Sequence, residues 1–265
     1  MYLAIDIGGT KTLLAVFDEN GKVVEKLKFA TPKNYGLFLV ELSENVANLT
    51  TKLFIKACAA VPGRIDREKG ILLHLGNLPW ANQQIQKDIS GIVKCPVAIE
   101  NDANLAGLSE AHNYQKYNKV LYVTISTGIG GAWVVDGKLD PNTIDAEIGH
   151  TVVEHEGKTM LWESLASGSA IVRDFGKIAA DIHDPKIWRI ISDRISIGLY
   201  NAAATYTPEV IILGGGVGSH LPLFYKQLNL AIQKYKDDIV DIPEIVQAKN
   251  AEEAVIYGCY ELIKG

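Results

Sequence analysis

The sequence has few cysteines and no long apolar run, and these absences exclude several classes of protein. Its three cysteines, Cys58, Cys95 and Cys259, are far apart, which excludes a disulfide framework and any C-x-x-C motif. We therefore expect buried, reduced thiols. No stretch reaches the about 18 apolar residues that a membrane span requires, and residues 1–6 carry no basic segment of a secretory signal. We therefore expect a cytoplasmic protein with no membrane partner.

Basic residues are also scarce and scattered. The chain has 26 Lys and Arg against 31 Asp and Glu, a net charge of −5, and no run of Lys or Arg. Because a nucleic-acid binder needs a concentrated basic surface, we expect no nucleic-acid partner. The hydrophobic content of 48% over 265 residues is that of a globular protein. A chain of this length is near the limit for one core, which favours two lobes with a cleft between them.

The chain opens with the pattern of a β-meander. Strands are predicted at 2–7, 12–17 and 22–29, with Gly8-Gly9-Thr10 and Asp18-Glu19-Asn20-Gly21 as the two turns. Helices and strands then alternate, with the predicted elements being a helix at 36–54, a strand at 54–61, a helix at about 81–90, a strand at 97–100 and a helix at 103–112.

The meander design returns about 118 residues later. A strand at 120–125, a glycine turn at 126–131 and a strand at 132–135 repeat the opening arrangement, which suggests a second lobe. The last third is predicted to contain a long helix with an apolar stripe at 187–199, a strand at 209–213, and helices at 221–235 and 251–263.

Three predicted strands end in glycine-rich turns. A phosphate needs converging backbone N–H groups, which a Cβ atom would obstruct, so three such turns together suggest a nucleotide. Any one of them alone is also typical of an ordinary hairpin. The three turns are Gly8-Gly9-Thr10-Lys11, Thr127-Gly128-Ile129-Gly130-Gly131 and Gly214-Gly215-Gly216-Val217-Gly218.

Two common nucleotide motifs fail on spacing. Gly157-Lys158-Thr159 resembles the end of a P-loop, but the first glycine of that motif would fall at Val152. The third glycine turn lacks the G-x-G-x-x-G spacing and the ribose-binding acid of a dinucleotide fold.

A set of short motifs, in order along the whole chain, resembles the ROK family of sugar kinases and sugar-responsive repressors. The motifs are Asp6-Ile7-Gly8-Gly9-Thr10-Lys11, Val61-Pro62-Gly63, Asn77-Leu78-Pro79-Trp80, Glu100-Asn101-Asp102-Ala103-Asn104, Ser126-Thr127-Gly128-Ile129-Gly130-Gly131, Glu147-Ile148-Gly149-His150, Glu163 with Leu165-Ala166-Ser167-Gly168, and Gly214-Gly215-Gly216-Val217.

The resemblance implies the α/β actin-like ATPase (ribonuclease H-like) fold, with two lobes and a central cleft. We expect a smaller N-terminal lobe at 1–117 and a larger C-terminal lobe at 118–250. The helix at 251–265 is expected to pack back on the first lobe. A homodimer is the commonest arrangement for such enzymes.

The resemblance also implies a hexose kinase that uses ATP and Mg²⁺ and acts on the 6-hydroxyl of a glucose-like or N-acetylated sugar. Asp102 would be the general base, and Asp6 would face the Mg²⁺ and the phosphates. The sugar would be held by Gly63, Asn77, Asn101, Asp102, Glu147, His150 and Glu163. ATP and its phosphates would be held by Asp6, Gly8, Gly9, Thr10, Lys11, Thr127, Gly128, Gly130, Gly214, Gly215 and Gly216.

Other interpretations of these residues remain open on spacing alone. Asn101-Asp102 is also typical of a helix N-cap, and Ser167-Gly168 of a cap on the helix that follows. Glu147 and His150, three residues apart, are also typical of a surface pair. His150 and His155 would need further ligands to bind a metal.

The sequence departs from the family around the expected sugar site. Most ROK proteins have a zinc-binding cysteine cluster after the Gly-x-x-Gly-His segment, but Thr151 to Trp162 contains no cysteine, so we expect no zinc. The loop at 139–146 is shorter than usual, with Ala146 where glycine is usual. Short, zinc-free members are similar to the polyphosphate-using glucokinases, which makes polyphosphate the alternative donor. A non-catalytic, sugar-binding regulator is the alternative function.

Overall fold

The computed structural model of the protein describes residues 1–76, 78–250 and 253–264. By internal packing the chain divides into two compact units. Unit 1 comprises Met1–Ser109 and Glu252–Gly265, and unit 2 comprises Glu110–Ala251. The predicted lobes at 1–117 and 118–250 divide the chain at a nearby point, and their assignment as lobes stays a prediction.

The strands and helices follow one another as the alternation in the sequence suggests. The strands are β1 (Tyr2–Ile7), β2 (Lys11–Phe17), β3 (Val23–Ala30), β4 (Lys56–Val61), β5 (Gly63–Asp66), β6 (Ile71–Leu75), β7 (Ala81–Gln83), β8 (Val97–Asn101), β9 (Lys119–Ile125), β10 (Ile129–Val135), β11 (Lys138–Leu139), β12 (Val152–His155), β13 (Lys158–Leu161), β14 (Val210–Gly214) and β15 (Glu244–Gln247). The α-helices are α1 (Tyr35–Asn48), α2 (Ile85–Val93), α3 (Asp102–His112), α4 (Trp162–Ala166), α5 (Gly168–Phe175), α6 (Pro185–Tyr206), α7 (Gly215–Gly218), α8 (Leu221–Ile232) and α9 (Ala254–Ile263).

Each unit contains a five-stranded sheet, and the two sheets share one topology. The strand order is β3-β2-β1-β4-β8 in unit 1 and β11-β10-β9-β14-β15 in unit 2. In each sheet the three strands that come first in sequence form an antiparallel meander. The other two strands run parallel to the first strand of that meander. The repeat that the sequence suggested is therefore present in the architecture.

In unit 1 the two faces of the sheet are covered by different helices. Leu3, Ile5 and Ile7 alternate along β1 and belong to a core with residues of α1 and α2. On the other face, Ala4 and Cys58 leave room for α9, which packs across β1 and β4. Because alternate residues of β1 share a face, Asp6 lies on the face of Ala4.

In unit 2 the core lies between the sheet and the long helix α6. Ile191, Ile195 and Leu199 are buried as the apolar stripe predicted, whereas Ile190 is 43% exposed. The buried stripe of α6 is therefore narrower than the apolar stripe predicted at 187–199. The cysteines behave as expected, since Cys58, Cys95 and Cys259 are free and buried.

Several element boundaries differ from those predicted. The helix predicted at 36–54 ends at Asn48, and the segment predicted as a helix at 81–90 forms β7 followed by α2. The second glycine turn is shorter than predicted, because Gly130 and Gly131 lie within β10. Among the described residues, no helix combines the length and apolarity of a membrane span.

Candidate active site

Two carboxylates lie at the carboxyl ends of parallel strands in unit 1. Asp6, near the end of β1, pairs with Ala60 of β4, and Ala60 pairs with Glu100 of β8. Asp102 follows directly after β8 as the first residue of α3. Because parallel strands end at the same edge of a sheet, the topology brings Asp6 and Asp102 to one edge, which is where open α/β sheets bind ligands.

The electrostatics of these two groups are unfavourable. Burial and the neighbouring charge of Asp102 raise the pKa of Asp6 to about 6, although the charge of Lys28 acts in the opposite direction. Burial also raises the pKa of Asp102, while the Ala103 N–H group acts in the opposite direction. Two half-buried carboxylates near each other form a site that favours a proton or a cation.

The helix cap at this position is provided by Asn101. Its Oδ1 atom accepts hydrogen bonds from the Ala103 N–H at 2.8 Å and from the Asn104 N–H at 3.4 Å. The Asp102 carboxylate also accepts from the Ala103 N–H, at 2.8 Å, through its Oδ1 atom. Capping therefore accounts for Asn101, and it leaves the Asp102 Oδ2 atom for another partner.

An ion pair with a buried carboxylate, which sequence reasoning missed, lies two residues before Asp102. Glu100 is 3% exposed and accepts from Arg67 Nε at 2.7 Å and from Arg67 Nη2 at 2.5 Å. Its Oε1 atom also accepts from the Asn101 N–H at 2.7 Å and from Asn104 Nδ2 at 2.9 Å. The only signal in the sequence was a glutamate inside the Glu-Asn-Asp motif, and nothing there pointed to Arg67.

Gly63 lies close to this group for a backbone reason. A Cβ atom there would lie 2.2 Å from the His74 carbonyl oxygen, so only glycine permits the pairing of β5 with β6. The Gly63 carbonyl accepts a hydrogen bond from Asn101 Nδ2 at 3.2 Å. Gly63 and Asn101 are thus brought together. Asn77, the other residue expected at the rim of the sugar site, lies outside the described residues.

The first glycine turn is a tight hairpin between β1 and β2. The Gly8 N–H donates to the Lys11 carbonyl at 3.0 Å, and a Cβ atom on Gly8 would lie 2.8 Å from that same oxygen. Gly9 is half-buried, and Thr10 and Lys11 are exposed. Hairpin geometry therefore explains Gly8, and the exposed part of the turn is accessible to a ligand.

The second glycine turn, between β9 and β10, is held by the start of α5. The Gly168 N–H donates to the Ser126 carbonyl at 2.6 Å, and the Ser169 N–H donates to the Thr127 carbonyl at 3.4 Å. Ser167 caps α5 by accepting from the Ala170 N–H at 3.2 Å, which confirms its predicted structural role. Thr127 is exposed in the turn, and Gly130 pairs with Thr124 inside the sheet.

Glu163 connects this turn to His150. Its Oε2 atom accepts from the Ile129 N–H at 3.5 Å, and a Cβ atom on Gly128 would lie 2.9 Å from it. Its Oε1 atom lies 3.8 Å from His150 Nε2. This carboxylate is therefore the charged neighbour of the exposed imidazole, for which the sequence offered no partner.

The neighbouring Trp162 fixes Glu163 on its helix. The indole is fully buried against Gly198 of α6, where a Cβ atom would lie 2.0 Å from the ring, and its Nε1 atom donates to the Arg194 carbonyl at 3.2 Å. Glu147 precedes a short 3₁₀ turn that ends at His150, and both side chains are exposed.

The third glycine segment forms α7 at the end of β14 rather than an open turn. Gly214 lies against the ring of Tyr122, and Gly215 has φ of +76° with its backbone against the Ile125 carbonyl. Both therefore need glycine for packing or conformation. Gly216 faces open space, with nothing within 4 Å of where its Cβ would stand.

The segment that carries the zinc ligands in most ROK proteins is a β-hairpin in this chain. Strands β12 and β13 pair from Val152 opposite Leu161 to His155 opposite Lys158. The turn residues Glu156 and Gly157 both have positive φ, as hairpin turns of this kind require. In the part of the chain that the structure describes, no cluster of three His, Cys, Asp or Glu side chains could hold a metal.

Known proteins resemble this chain over its full length. The family model of the ROK family matches residues 2–265. The N-acetyl-D-glucosamine kinase of Histophilus somni is 29% identical, over 99% of this chain and 98% of its own. The crystal structure of the ROK hexokinase from Thermus thermophilus has a TM-score of 0.80 and 26% identity, covering 100% of this chain and 99% of its own.

A further structure is the inorganic polyphosphate/ATP-glucomannokinase from Arthrobacter sp. strain KM. Its TM-score is 0.75 at 27% identity, with 100% of this chain and 99% of its own covered. The solved ROK kinases have the actin-like ATPase fold, so the predicted α/β fold class is confirmed. The match of the family model over nearly the whole sequence shows that this chain belongs to the ROK family, and its homologues are sugar kinases.

Proposed function

We propose that the protein is a hexose kinase that transfers the terminal phosphoryl group of ATP to the 6-hydroxyl of a glucose-like or N-acetylated sugar, with Asp102 as general base. The observation that supports this most is the placement of Asp102, whose Oδ2 atom is not used by the helix cap, beside Asp6 at the carboxyl edge of the unit 1 sheet. A small-molecule sugar is thus the proposed binding partner.

The residues present fit a magnesium-bound nucleotide. Mg²⁺ prefers carboxylate oxygens and water, and Asp6 supplies a carboxylate whose ionised form is disfavoured in the free protein. A cation beside Asp6 would relieve its repulsion with Asp102. Bound Mg²⁺-ATP would supply the phosphoryl group and neutralise its charge.

The glycine segments are the proposed contacts for ATP. In the first turn, Gly8, Gly9, Thr10 and Lys11 would contact the phosphates, and in the second, Thr127 and Gly128 would do so. Gly130 would contact the phosphates from its position within β10. The open space at Gly216 fits a nucleoside, with Gly214 and Gly215 setting the backbone behind it.

The proton of the sugar hydroxyl would pass to the Asp102 carboxylate as the bond to phosphorus forms. A base works best when its pKa lies near the working pH, and burial raises the pKa of Asp102 in that direction. Asn101 would hold a neighbouring hydroxyl with the amide N–H that is not donated to Gly63.

The remaining sugar hydroxyls are assigned to Glu147, His150 and Glu163. Glu147 and His150 are exposed, and Glu163 Oε1 lies 3.8 Å from His150 Nε2. Carboxylates and imidazoles bridge adjacent hydroxyls in fixed geometry. Gly63 and Asn77 complete the proposed sugar site.

Polyphosphate is the second candidate donor. The hairpin of β12 and β13 contains no cysteine, and a polyphosphate/ATP-glucomannokinase is among the similar structures. A coupled assay with Mg²⁺-ATP and, in parallel, Mg²⁺-polyphosphate against glucose, mannose, fructose, N-acetylglucosamine and N-acetylmannosamine distinguishes the donors and identifies the sugar. Sugar binding without turnover would instead indicate the regulator.

Replacement of the base tests the proposed mechanism. Asp102→Asn should lower kcat by about 10²- to 10⁴-fold, because the amide cannot accept the proton. Sugar affinity, measured by calorimetry, should change little, because the amide keeps the size and most hydrogen bonds of the carboxylate. Asp181→Asn, on an exposed 3₁₀ turn, is the matched control and should leave kcat unchanged. Full turnover by Asp102→Asn would disprove the assignment of the base.

A further inference from the structure

The carboxylate of Glu100 is almost entirely buried, although it is not one of the proposed ligand contacts. Its side chain is 4% exposed, and that of its partner Arg67 is 25% exposed. Burial of an ionised carboxylate is strongly unfavourable unless it is paired and hydrogen-bonded. A buried carboxylate two residues before Asp102 therefore depends on its partners.

The contacts of Glu100 connect Arg67 to both sides of Asp102. Arg67 binds both carboxylate oxygens, in the forked geometry that a guanidinium provides and an ammonium does not. The Oε1 atom also binds the backbone N–H of Asn101, which precedes Asp102, and the side chain of Asn104, two residues after it. One carboxylate thus fixes both ends of the short segment that carries the proposed base.

These contacts leave Asp102 itself untouched. The Asp102 carboxylate accepts a hydrogen bond from the Ala103 N–H, and the contacts of Arg67 reach this segment through Glu100. Arg67 follows β5 and does not belong to the apolar cores of unit 1, so its contribution is to orientation more than to packing. The neighbouring pair of Asp66 and Lys69 is a surface ion pair, in which the lysine is 72% exposed.

We infer that Arg67 is a positioning residue for phosphoryl transfer, which acts through Glu100 to hold the Asn101-Asp102 segment in the orientation that the base requires. The inference rests on the proposed function. Displacement of a catalytic group by about 1 Å can lower the rate by 10²-fold, so the fixed geometry of this segment bears directly on kcat.

Kinetics of three variants test the inference. Arg67→Met leaves the buried Glu100 carboxylate without its arginine partner and should lower kcat by about 10²-fold. The KM values for sugar and donor should stay within about threefold, because Arg67 is not among the proposed sugar and phosphate contacts. The kcat of Arg67→Lys should lie between those of Arg67→Met and the native protein, since lysine restores the positive charge without the forked geometry of the guanidinium.

The double variant Arg67→Met/Glu100→Gln supplies the discriminating result. Glutamine keeps an acceptor for Asn101 and Asn104 and removes the unpaired charge, so kcat should recover by about tenfold relative to Arg67→Met. The double variant should also fold if Arg67→Met alone does not. Lys69→Met, in the adjacent surface pair, is the control and should leave kcat unchanged. An unchanged kcat in Arg67→Met, or a loss that appears equally in KM, would overturn the inference.

Hydrogen exchange separates this inference from the proposed function. Arg67→Met should speed exchange in a peptide that covers residues 100–104, whereas Lys69→Met should not, and this measurement needs no substrate. If the native protein phosphorylates no sugar, the proposed function fails. Faster exchange would then still support the positioning of Asp102 by Arg67, and unchanged exchange would overturn it.

Discussion

Replacing Asp6 by asparagine should make the free protein more stable at neutral pH, although it should abolish turnover. The pKa of Asp6 is raised in the folded protein, so its ionised form is less favourable there than in the unfolded chain. The cause is burial together with the neighbouring Asp102 carboxylate. Asparagine has the same shape and no charge, and it therefore removes this destabilisation.

The size of the effect follows from the two pKa values. The pKa is about 6 in the folded protein and ordinarily 3.8, and at 1.36 kcal/mol per pH unit the difference corresponds to an upper limit of about 3 kcal/mol. Below about pH 4 both states are protonated and the variant should gain little. As the pH rises from about 4 to about 6, the unfolded chain ionises first, so the native protein loses stability relative to the variant. Above about pH 7 the full gain should be present.

The measurement is urea unfolding of both proteins at pH 4.5 and pH 7.5 in EDTA, so that no divalent cation occupies the site. Asp102→Asn should also gain stability at pH 7.5, because burial raises the pKa of Asp102 itself and its charge is one of the two causes that raise the pKa of Asp6. Glu41→Gln, on the exposed face of α1, controls for the loss of one negative charge. A gain for Asp6→Asn that is equal at both pH values would refute the electrostatic explanation, and a loss of stability at pH 7.5 would refute the predicted sign.

Glycine and capping positions give two further predictions. Gly149→Ala should lower the free energy of unfolding by about 1 to 3 kcal/mol, since the new Cβ would lie 2.1 Å from the Ile129 carbonyl oxygen. Gly91 lies inside α2 with open space where a Cβ would stand, so Gly91→Ala should raise the free energy of unfolding by about 0.5 to 1 kcal/mol. Equal effects of the two substitutions in thermal unfolding would contradict this reasoning. Ser167→Ala removes the acceptor for the Ala170 N–H and should cost about 1 kcal/mol. The loss of stability should be smaller for Ser167→Asn, because asparagine can still cap the helix. Denaturant unfolding measures both variants, and equal stabilities would show that the cap does not stabilise the protein.

The sequence predicted the parts of the site that depend on strand ends and local turns. Asp6 lies near the end of one apolar strand and Asp102 directly after another, and the rule that parallel strands share a carboxyl edge is enough to bring them together. The duplicated meander was also visible, because glycine turns between apolar strands leave a clear pattern. The ROK resemblance then supplied the roles, which neither spacing nor composition could provide.

What the sequence could not predict depends on pairs of residues far apart in the chain. Arg67 and Glu100 are 33 residues apart, and no periodic pattern relates an arginine in one turn to a glutamate at the end of another strand. The contact of Glu163 with His150 was missed for the same reason. Gly130 was assigned to a turn because glycine usually breaks strands, but the pairing of β9 with β10 overrides that preference.

Helix α9 has a consequence for how the protein is made. It covers the face of the unit 1 sheet on which Asp6 lies, and its Gly258 lies so close to α3 that a Cβ would come within 1.9 Å of the Leu105 carbonyl. Residues 253–264 are synthesised after all of unit 2, so the first sheet emerges from the ribosome with one face uncovered until these residues follow. Ordering of the edge that carries Asp6 and Asp102 would therefore come after the synthesis of unit 2, and a nascent chain cut before residue 254 should expose an apolar surface that chaperones bind.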